Sequence, residues 1–325
     1  MQNEFKESDT SYEVAVIGGG PAGLSAALVL GRTRRRTVVL NYGAPRNAPA
    51  RNVHGFLTRD GTPPAEMRAI AREQISSYDS VSFHDARITA IESAGESGFL
   101  IRTPDGTLHA RIVLLATGVI DRLPDLPGLA PLWESGASIF LCPFCHGWEV
   151  RDRPWALLAE NPADVEWSLL LKSWSDDLIV FTNGAFEVPD DLQAKIGRAK
   201  ILLEERPLRK LIASDTSSDT DIDAGQDSRK DNADTTLQAI ELADGEQILR
   251  EVLFVRTSQR QTDLVQSLEL SLTDIGFVAV DAAMQTNLPG VYAAGDLTTP
   301  MQQALSAASD GARAAAMIHH RLSLE

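Results

Sequence analysis

A short β-rich run, residues 13–17, leads straight into Gly18-Gly-Gly20-Pro21-Ala22-Gly23 and then into an Ala/Leu-rich helical stretch that reaches Leu30. Strand, glycine turn and helix in that order constrain the chain more than any other feature, because together they are the opening half of a βαβ nucleotide-binding unit. The glycines act by absence. Without Cβ the turn tightens, the backbone can approach a pyrophosphate, and the N–H groups of the helix N-terminus meet its charge. A second buried strand, residues 37–40, closes the unit and ends at Asn41, where an acid for a ribose hydroxyl is usually expected. A later apolar strand, residues 112–116, runs into Thr117-Gly118. Near the C-terminus, Gly290-Val-Tyr-Ala-Ala-Gly295-Asp296 stops at a Gly-Asp pair and is followed by a helical run over 302–319.

By itself the Gly18 turn is weak evidence for a particular ligand. Combined with a distant Gly-Asp, whose carboxylate can hold the ribityl or pyrophosphate end, it points to FAD. The candidate binding residues are Gly18, Gly20, Pro21, Ala22, Gly23, Asn41, Thr117 and Gly118, with the C-terminal Gly-Asp pair.

At 325 residues the chain is long enough for two domains of ordinary size. A Pro-rich link at 123–131 marks a boundary, and beyond it a second strand (155–158), helix (163–174) and buried strand (178–181) repeat the nucleotide-type pattern. The expected fold is α/β with two Rossmann-like dinucleotide-binding-type domains. Residues 1–120 and 247–325 form a discontinuous FAD domain, and 121–246 an inserted domain of NAD(P) type. Residues 214–235 hold seven aspartates and almost no apolar side chain, so they read as an acidic surface loop.

Composition narrows the function classes. No apolar run approaches the roughly eighteen residues of a membrane helix. The first twelve residues carry three acids and neither a basic flank nor an apolar stretch, so the expected location is cytoplasmic. A net charge of -15 repels phosphate backbones and anionic lipid, which argues against nucleic acid and membrane as partners. The chain has two cysteines, and both lie in the tetrapeptide Cys142-Pro-Phe-Cys145.

That spacing is the spacing of a dithiol/disulfide switch. Pro143 suits the first turn of a helix, whose N-terminus favours a thiolate. His146 follows directly, and with an ordinary pKa of about 6.5 it can take a proton from a thiol and return it near working pH. Cys142, Cys145 and His146 are therefore the candidate catalytic residues. The same letters spell a c-type haem attachment signal, but that needs an export signal. A structural zinc would need His146 plus a stray histidine such as His54, His84 or His109, and no second C-x-x-C exists, so no metal site is expected.

Over nearly its whole length the chain resembles the low-molecular-weight thioredoxin reductase family. The resemblance is carried by Gly18-x-Gly20-x-x-Gly23, Ala116-Thr117-Gly118, the C-x-x-C, the Gly290 to Asp296 run, and Gln303-Ala304 beyond it. It implies that Gly295, Asp296, Gln303 and Ala304 contact FAD, that Cys145 faces the flavin while Cys142 exchanges with substrate, and that the protein is a homodimer.

Pyridine nucleotide binding in that family uses a second glycine-rich turn, then an arginine cluster after the next strand. Here the turn reads Ala159-Glu-Asn161-Pro-Ala-Asp164, which sets Cβ atoms and two carboxylates on the pyrophosphate path, and Thr182-Asn-Gly-Ala follows with no arginine. NAD(P)H is thus not expected as a substrate. The run from Cys142 to Glu149 also resembles the dithiol oxidases that close disulfides in small natural products such as gliotoxin and holomycin. On that model a small-molecule dithiol exchanges with the cysteine pair, and electrons leave through FAD to dioxygen. Two rivals stay open: a disulfide reductase of a thioredoxin-like protein, fed by a ferredoxin-like donor, and a non-catalytic flavin redox sensor.

Overall fold

The computed structural model describes residues 11–214 and 235–325, so the expected acidic loop lies outside the described residues apart from Ser214 and Thr235. The chain forms two compact units. The described residues up to Ala48, with Gly55–Ile120 and Gln259–Glu325, make the first; Pro49–His54 and the described part of Asp121–Ser258 make the second.

In the first unit a sheet runs in the order Val81–His84, Thr37–Leu40, Ser11–Ile17, Gly106–Leu115, Phe99–Thr103, Ala90–Ser93. The Ser11 strand pairs in parallel with the Thr37 and Gly106 strands. On its far side the ten-residue Gly106 strand takes the Phe99 strand antiparallel along its first half and the Val291–Ala293 strand parallel along its second. Strands buried on both faces need near-continuous apolar runs, which is why VAVI is apolar throughout and TVVL apolar after Thr37, rather than alternating. Alternate side chains still part to opposite faces. Ala15, Ile17, Val38, Leu40, Val113 and Leu115 face one core, while Val14, Val16, Val39, Ile112 and Leu114 face the other. That second core is covered by helices Pro21–Arg32 and Ala304–Leu324. The two helices meet at small residues: a Cβ on Gly311 would overlap the Ala22 carbonyl. Leu30 is wholly buried in this layer, and truncating it to Ala would cost about 2–5 kcal/mol.

The second unit has a fully parallel sheet ordered Leu202–Glu204, Leu178–Phe181, Trp155–Leu158, Val252–Val255, Ile139–Phe140. A three-stranded antiparallel ribbon, Leu208–Ala213, Leu237–Leu242 and Gln247–Leu249, accompanies it. Residues 247–258, which the sequence pattern assigned to the outer domain, therefore sit in this unit. Val252–Val255 is an interior strand between Trp155 and Ile139, and pairing of that kind is invisible in a local apolar run. The helix expected over 163–174 runs from Pro162 to Leu171, with Trp174 in the turn beyond it. Trp167 and Trp174 both pack against the core of this unit. Among the described residues no helix is long and apolar enough to cross a membrane.

Candidate active site

In the first unit, the glycine turn is fixed by backbone meeting backbone. Gly18 has φ 122°, and a Cβ there would run into the Ala116 carbonyl, so the ends of the Ser11 and Gly106 strands touch only because this residue has no side chain. A Cβ on Gly23 would overlap the Gly18 carbonyl oxygen. Gly20 differs: a Cβ there would meet open space, directly at the N-cap of the Pro21 helix. That helix has no side-chain cap among the described residues and no acid in its first turn, and Leu24 N–H bonds back to Gly20 O at 2.9 Å. Pro21 fills the first helical position, where no N–H is missed.

The other predicted cofactor residues gather at the same strand ends. Asn41 closes the Thr37 strand and its Oδ1 accepts the Gly19 N–H at 3.1 Å, so the amide braces the turn itself. Thr117 and Gly118 (φ 65°) follow the Gly106 strand. Gly295 (φ 87°) lies against Ala22, whose Cβ would stand 2.9 Å from an added Cβ. Gln303 holds the N-cap position of the Ala304 helix without a side-chain capping bond, and Ala304 is its first residue. Asp296 is bound by a residue the sequence did not single out: Arg46 Nη1 donates to Asp296 Oδ2 at 3.0 Å and to Gln302 Oε1 at 2.6 Å, while Gln302 exchanges amide bonds with Gln259. Arg46 stands in no motif, and nothing local in the sequence marks it.

In the second unit, Cys142 and Cys145 are joined as a disulfide across a single helical turn, Pro143–His146. Cys142 holds the extended N-cap position, and Cys145 N–H donates to its carbonyl at 3.2 Å. Both cysteines are half-buried, and Phe144 and Trp148 beside them are 58% and 65% exposed. The His146 ring stacks on Phe140 at 4.7 Å and meets the His54 ring edge-on at 6.4 Å. Burial, and secondarily His54, push His146 down to about 4. The expectation of titration near working pH is thereby corrected: this imidazole is neutral there, because the sequence does not reveal how deeply a ring will be set.

His54 reaches this place on the strap Pro49–His54, which belongs to the second unit. Gly136 (φ 62°) lets the strap pass, since a Cβ on Gly136 would overlap the Pro49 carbonyl. His54 Nδ1 lies 3.4 Å from Glu149 Oε1. Among the described residues no group of three His, Cys, Asp or Glu is placed to hold a metal ion.

The second nucleotide-type turn, also in this unit, has its own internal bonding. Asn161 is the N-cap of the Pro162 helix and its Oδ1 accepts the Asp164 N–H at 3.2 Å. The Asp164 carboxylate, 4% exposed, folds back over the turn, accepting the Glu160 N–H at 3.0 Å and Asn161 Nδ2 at 2.9 Å. Arg256 Nη1 stands 3.4 Å from its other oxygen. Burial and Asp164 together raise the Glu160 carboxyl. The cavity at these strand ends is about 170 Å³, lined by Leu126, Leu158, Ala159, Glu160, Thr182 and Asn183 among others.

The architecture and the disulfide define a flavin-dependent disulfide oxidoreductase, and sequence comparison assigns the family. The chain belongs to the pyridine nucleotide-disulphide oxidoreductase family, whose model matches residues 12–152 and 214–311. It is 32% identical to a probable thioredoxin reductase of Arthroderma benhamiae over 97% of this chain and 81% of that protein. It is 30% identical to the thioredoxin reductase sirT of Leptosphaeria maculans, covering 93% of this chain and 92% of that one. The crystal structure of HlmI superposes with a TM-score of 0.86 at 34% identity, over 99% of this chain and 95% of that one. The expected α/β fold and thioredoxin reductase-like kinship are thus borne out, and FAD is the cofactor of this family. The first unit fits it: an uncapped helix N-terminus with open space at Gly20 suits a pyrophosphate.

Proposed function

We propose that this protein oxidises a small-molecule dithiol to a disulfide through Cys142 and Cys145, passing the electrons by way of FAD to dioxygen and using no nicotinamide nucleotide. The observation that carries this reading is Asp164. Its carboxylate sits over the N-terminal turn of the Pro162 helix, where a nucleotide would put its pyrophosphate, and takes the Glu160 N–H, while Asn161 Oδ1 takes the Asp164 N–H, so both are engaged before an anion could arrive. An entering phosphate would meet a buried carboxylate and forfeit those bonds.

The chemistry divides between the two units. The Gly18–Gly23 turn would hold the FAD pyrophosphate, Asp296 its hydroxyl-bearing chain, and Asn41 the adenosine end. Bound FAD would supply a two-electron acceptor for the reduced cysteine pair, with dioxygen as the terminal oxidant and hydrogen peroxide as its product. The protein's own residues handle the exchange. One substrate thiol gives its proton to neutral His146, and its sulfur bonds to Cys142 Sγ. The Cys142–Cys145 bond breaks with the electron pair on Cys145, which His146 can reprotonate. The second substrate thiol then gives its proton to the again neutral His146 and its sulfur attacks the first substrate sulfur; the Cys142–substrate bond breaks with the electron pair on Cys142, which takes that proton, and the substrate leaves as a disulfide with two thiols left on the enzyme. The names of the fungal relatives favour a second reading, a disulfide reductase; electrons would then run the other way, and without a nicotinamide site a ferredoxin-like donor would supply them.

Anaerobic mixing of the yellow holoenzyme with dithiothreitol and, separately, with NADPH tests the proposal. Dithiol should bleach the flavin and air should restore it with peroxide, while NADPH should act at least about a hundredfold more slowly, given its lost charge-assisted contacts. Prompt bleaching by NADPH would refute the reading of Asp164. Absence of peroxide, with reduction of a disulfide protein by reduced ferredoxin, would select the reductase.

A further inference from the structure

Among the residues read as FAD contacts, Asp296 is the single acid, and a residue 250 positions earlier in the chain reaches across to hold it. Arg46 lies beyond the Thr37 strand, in the turn that the Ala48 N–H closes on the Pro45 carbonyl at 2.9 Å. From there one guanidinium nitrogen, Nη1, donates to Asp296 Oδ2 at 3.0 Å and to Gln302 Oε1 at 2.6 Å. Both acceptors are side chains of the 296–302 segment, and all three residues belong to the first unit. We propose that Arg46 is a positioning residue of the cofactor site, which fixes the Asp296 carboxylate for the hydroxyl-bearing chain of FAD both directly and through Gln302.

The proposal rests on the reading of Asp296 as a holder of FAD and deepens it. Arginine stays charged and has no acceptor, so it dictates which end of the Gln302 amide faces it. With Oε1 turned to Arg46, Gln302 Nε2 donates to the Asp296 main-chain carbonyl at 3.2 Å and to Gln259 Oε1 at 2.8 Å. Gln259 Nε2 returns a bond to Gln302 Oε1 at 2.9 Å, which closes the network. Asp296 is therefore held at its carboxylate by Arg46 and at its backbone by an amide that Arg46 orients. It needs such holding, because it follows Gly295 at φ 87° and opens only the single turn Asp296–Thr298, with no longer element to fix its direction. The Arg46 and Asp296 side chains are 24% and 23% exposed, so the pair is partly shielded from the water that makes surface ion pairs weak. A carboxylate fixed before the ligand arrives loses little rotamer freedom on binding, and the saving shows as slower release of the cofactor.

The test is the rate of FAD release from the holoenzyme, read as the rise of free flavin fluorescence after dilution. Arg46→Met, which keeps an unbranched side chain without charge or donors, should release FAD about tenfold faster, the worth of one charge-assisted hydrogen bond. Arg46→Lys, which restores a cation for Asp296 without the guanidinium fork, should lie within about threefold of the wild type. Asp296→Asn should itself release FAD about tenfold faster. Adding Arg46→Met to it should bring less than about a twofold further change, because the two substitutions break one interaction. A merely structural arginine would act alike in both backgrounds, so an effect of Arg46→Met that survives in full beside Asp296→Asn overturns the proposal. Unchanged release from Arg46→Met, or Arg46→Lys as fast as Arg46→Met, overturns it as well. Should Arg46→Met fail to fold, Arg46→Gln takes its place, and a variant that purifies colourless is compared by titration with FAD. If Asp296→Asn holds FAD as the wild type does, the reading of Asp296 fails and the proposal falls with it, whereas the dithiol oxidation reading is decided separately by the dithiothreitol and NADPH mixing.

Discussion

The two βα turns of this molecule start from the same plan and finish oppositely. After the Ser11 strand, the Pro21 helix begins with glycines, no side-chain cap and no acid in its first turn. After the Trp155 strand, the Pro162 helix follows Ala159 and Glu160, with Asn161 Oδ1 on the Asp164 N–H and the Asp164 carboxylate folded back onto the Glu160 N–H. A helix N-terminus is an anion site whose occupant is undecided by geometry. In the first unit the sequence leaves it for a ligand, and in the second the chain supplies the anion itself. A turn without the glycine motif thus differs in more than room, because the Glu160 and Asp164 N–H groups are bonded within the chain.

The comparison can be broken most severely at Gly18. Gly18→Val adds a side chain at φ 122° against the Ala116 backbone, and we expect a loss of about 4 kcal/mol or more with little flavin retained on purification. Yellow protein of normal thermal stability would mean the turn relaxes as the second one does. Asp164→Ala should cost about 2 kcal/mol through its lost buried bonds, and should let millimolar phosphate or sulfate raise the melting temperature of the variant but not of the wild type. Equal stabilisation of both proteins would show that the second turn was open all along. Asn161→Ala removes the cap and one of the bonds to the Asp164 carboxylate but leaves the carboxylate in place, and should cost about 1 kcal/mol in denaturant unfolding. Asn41→Asp keeps an acceptor for the Gly19 N–H, so FAD affinity measured by equilibrium dialysis should change by no more than about threefold.

The smallest effect is at Glu160. Its pKa is raised in the folded chain by burial and by Asp164, so the charged form opposes folding above that pKa and the penalty disappears as pH falls through it. Glu160→Gln should raise the melting temperature by about one degree at neutral pH, and the gain should vanish in acid.

Much of the scaffold is legible in the sequence because it depends on local rules. Apolar runs ending at Leu40, Leu158 and Phe181 have few roles besides central strands, and the Gly18 turn needs the residue types it has. What was illegible depends on pairing across the chain. Val252–Val255 looks like its neighbours in composition, and only its register with Trp155 and Ile139 gives it to the second unit. Asp164 read as a repulsive charge, because the spacing that lets it bond Glu160 N–H and Asn161 is a matter of rotamer and turn, not of letters. Arg46 on Asp296, and His54 opposite His146, are contacts between distant positions with no periodicity to announce them. The acid–base setting of His146 was misjudged for the same reason, since burial is decided by the fold.

The Pro49–His54 strap has a consequence for how this chemistry can be moved between proteins. Residues 121–258 look like a cassette, bounded and carrying the disulfide, and a chimera built by exchanging that stretch would transfer Cys142, Cys145, His146 and Glu149 together. It would leave His54 behind in the host. The heritable module is therefore two separated pieces of chain, and grafts that respect only the longer one should yield a disulfide with an orphaned histidine.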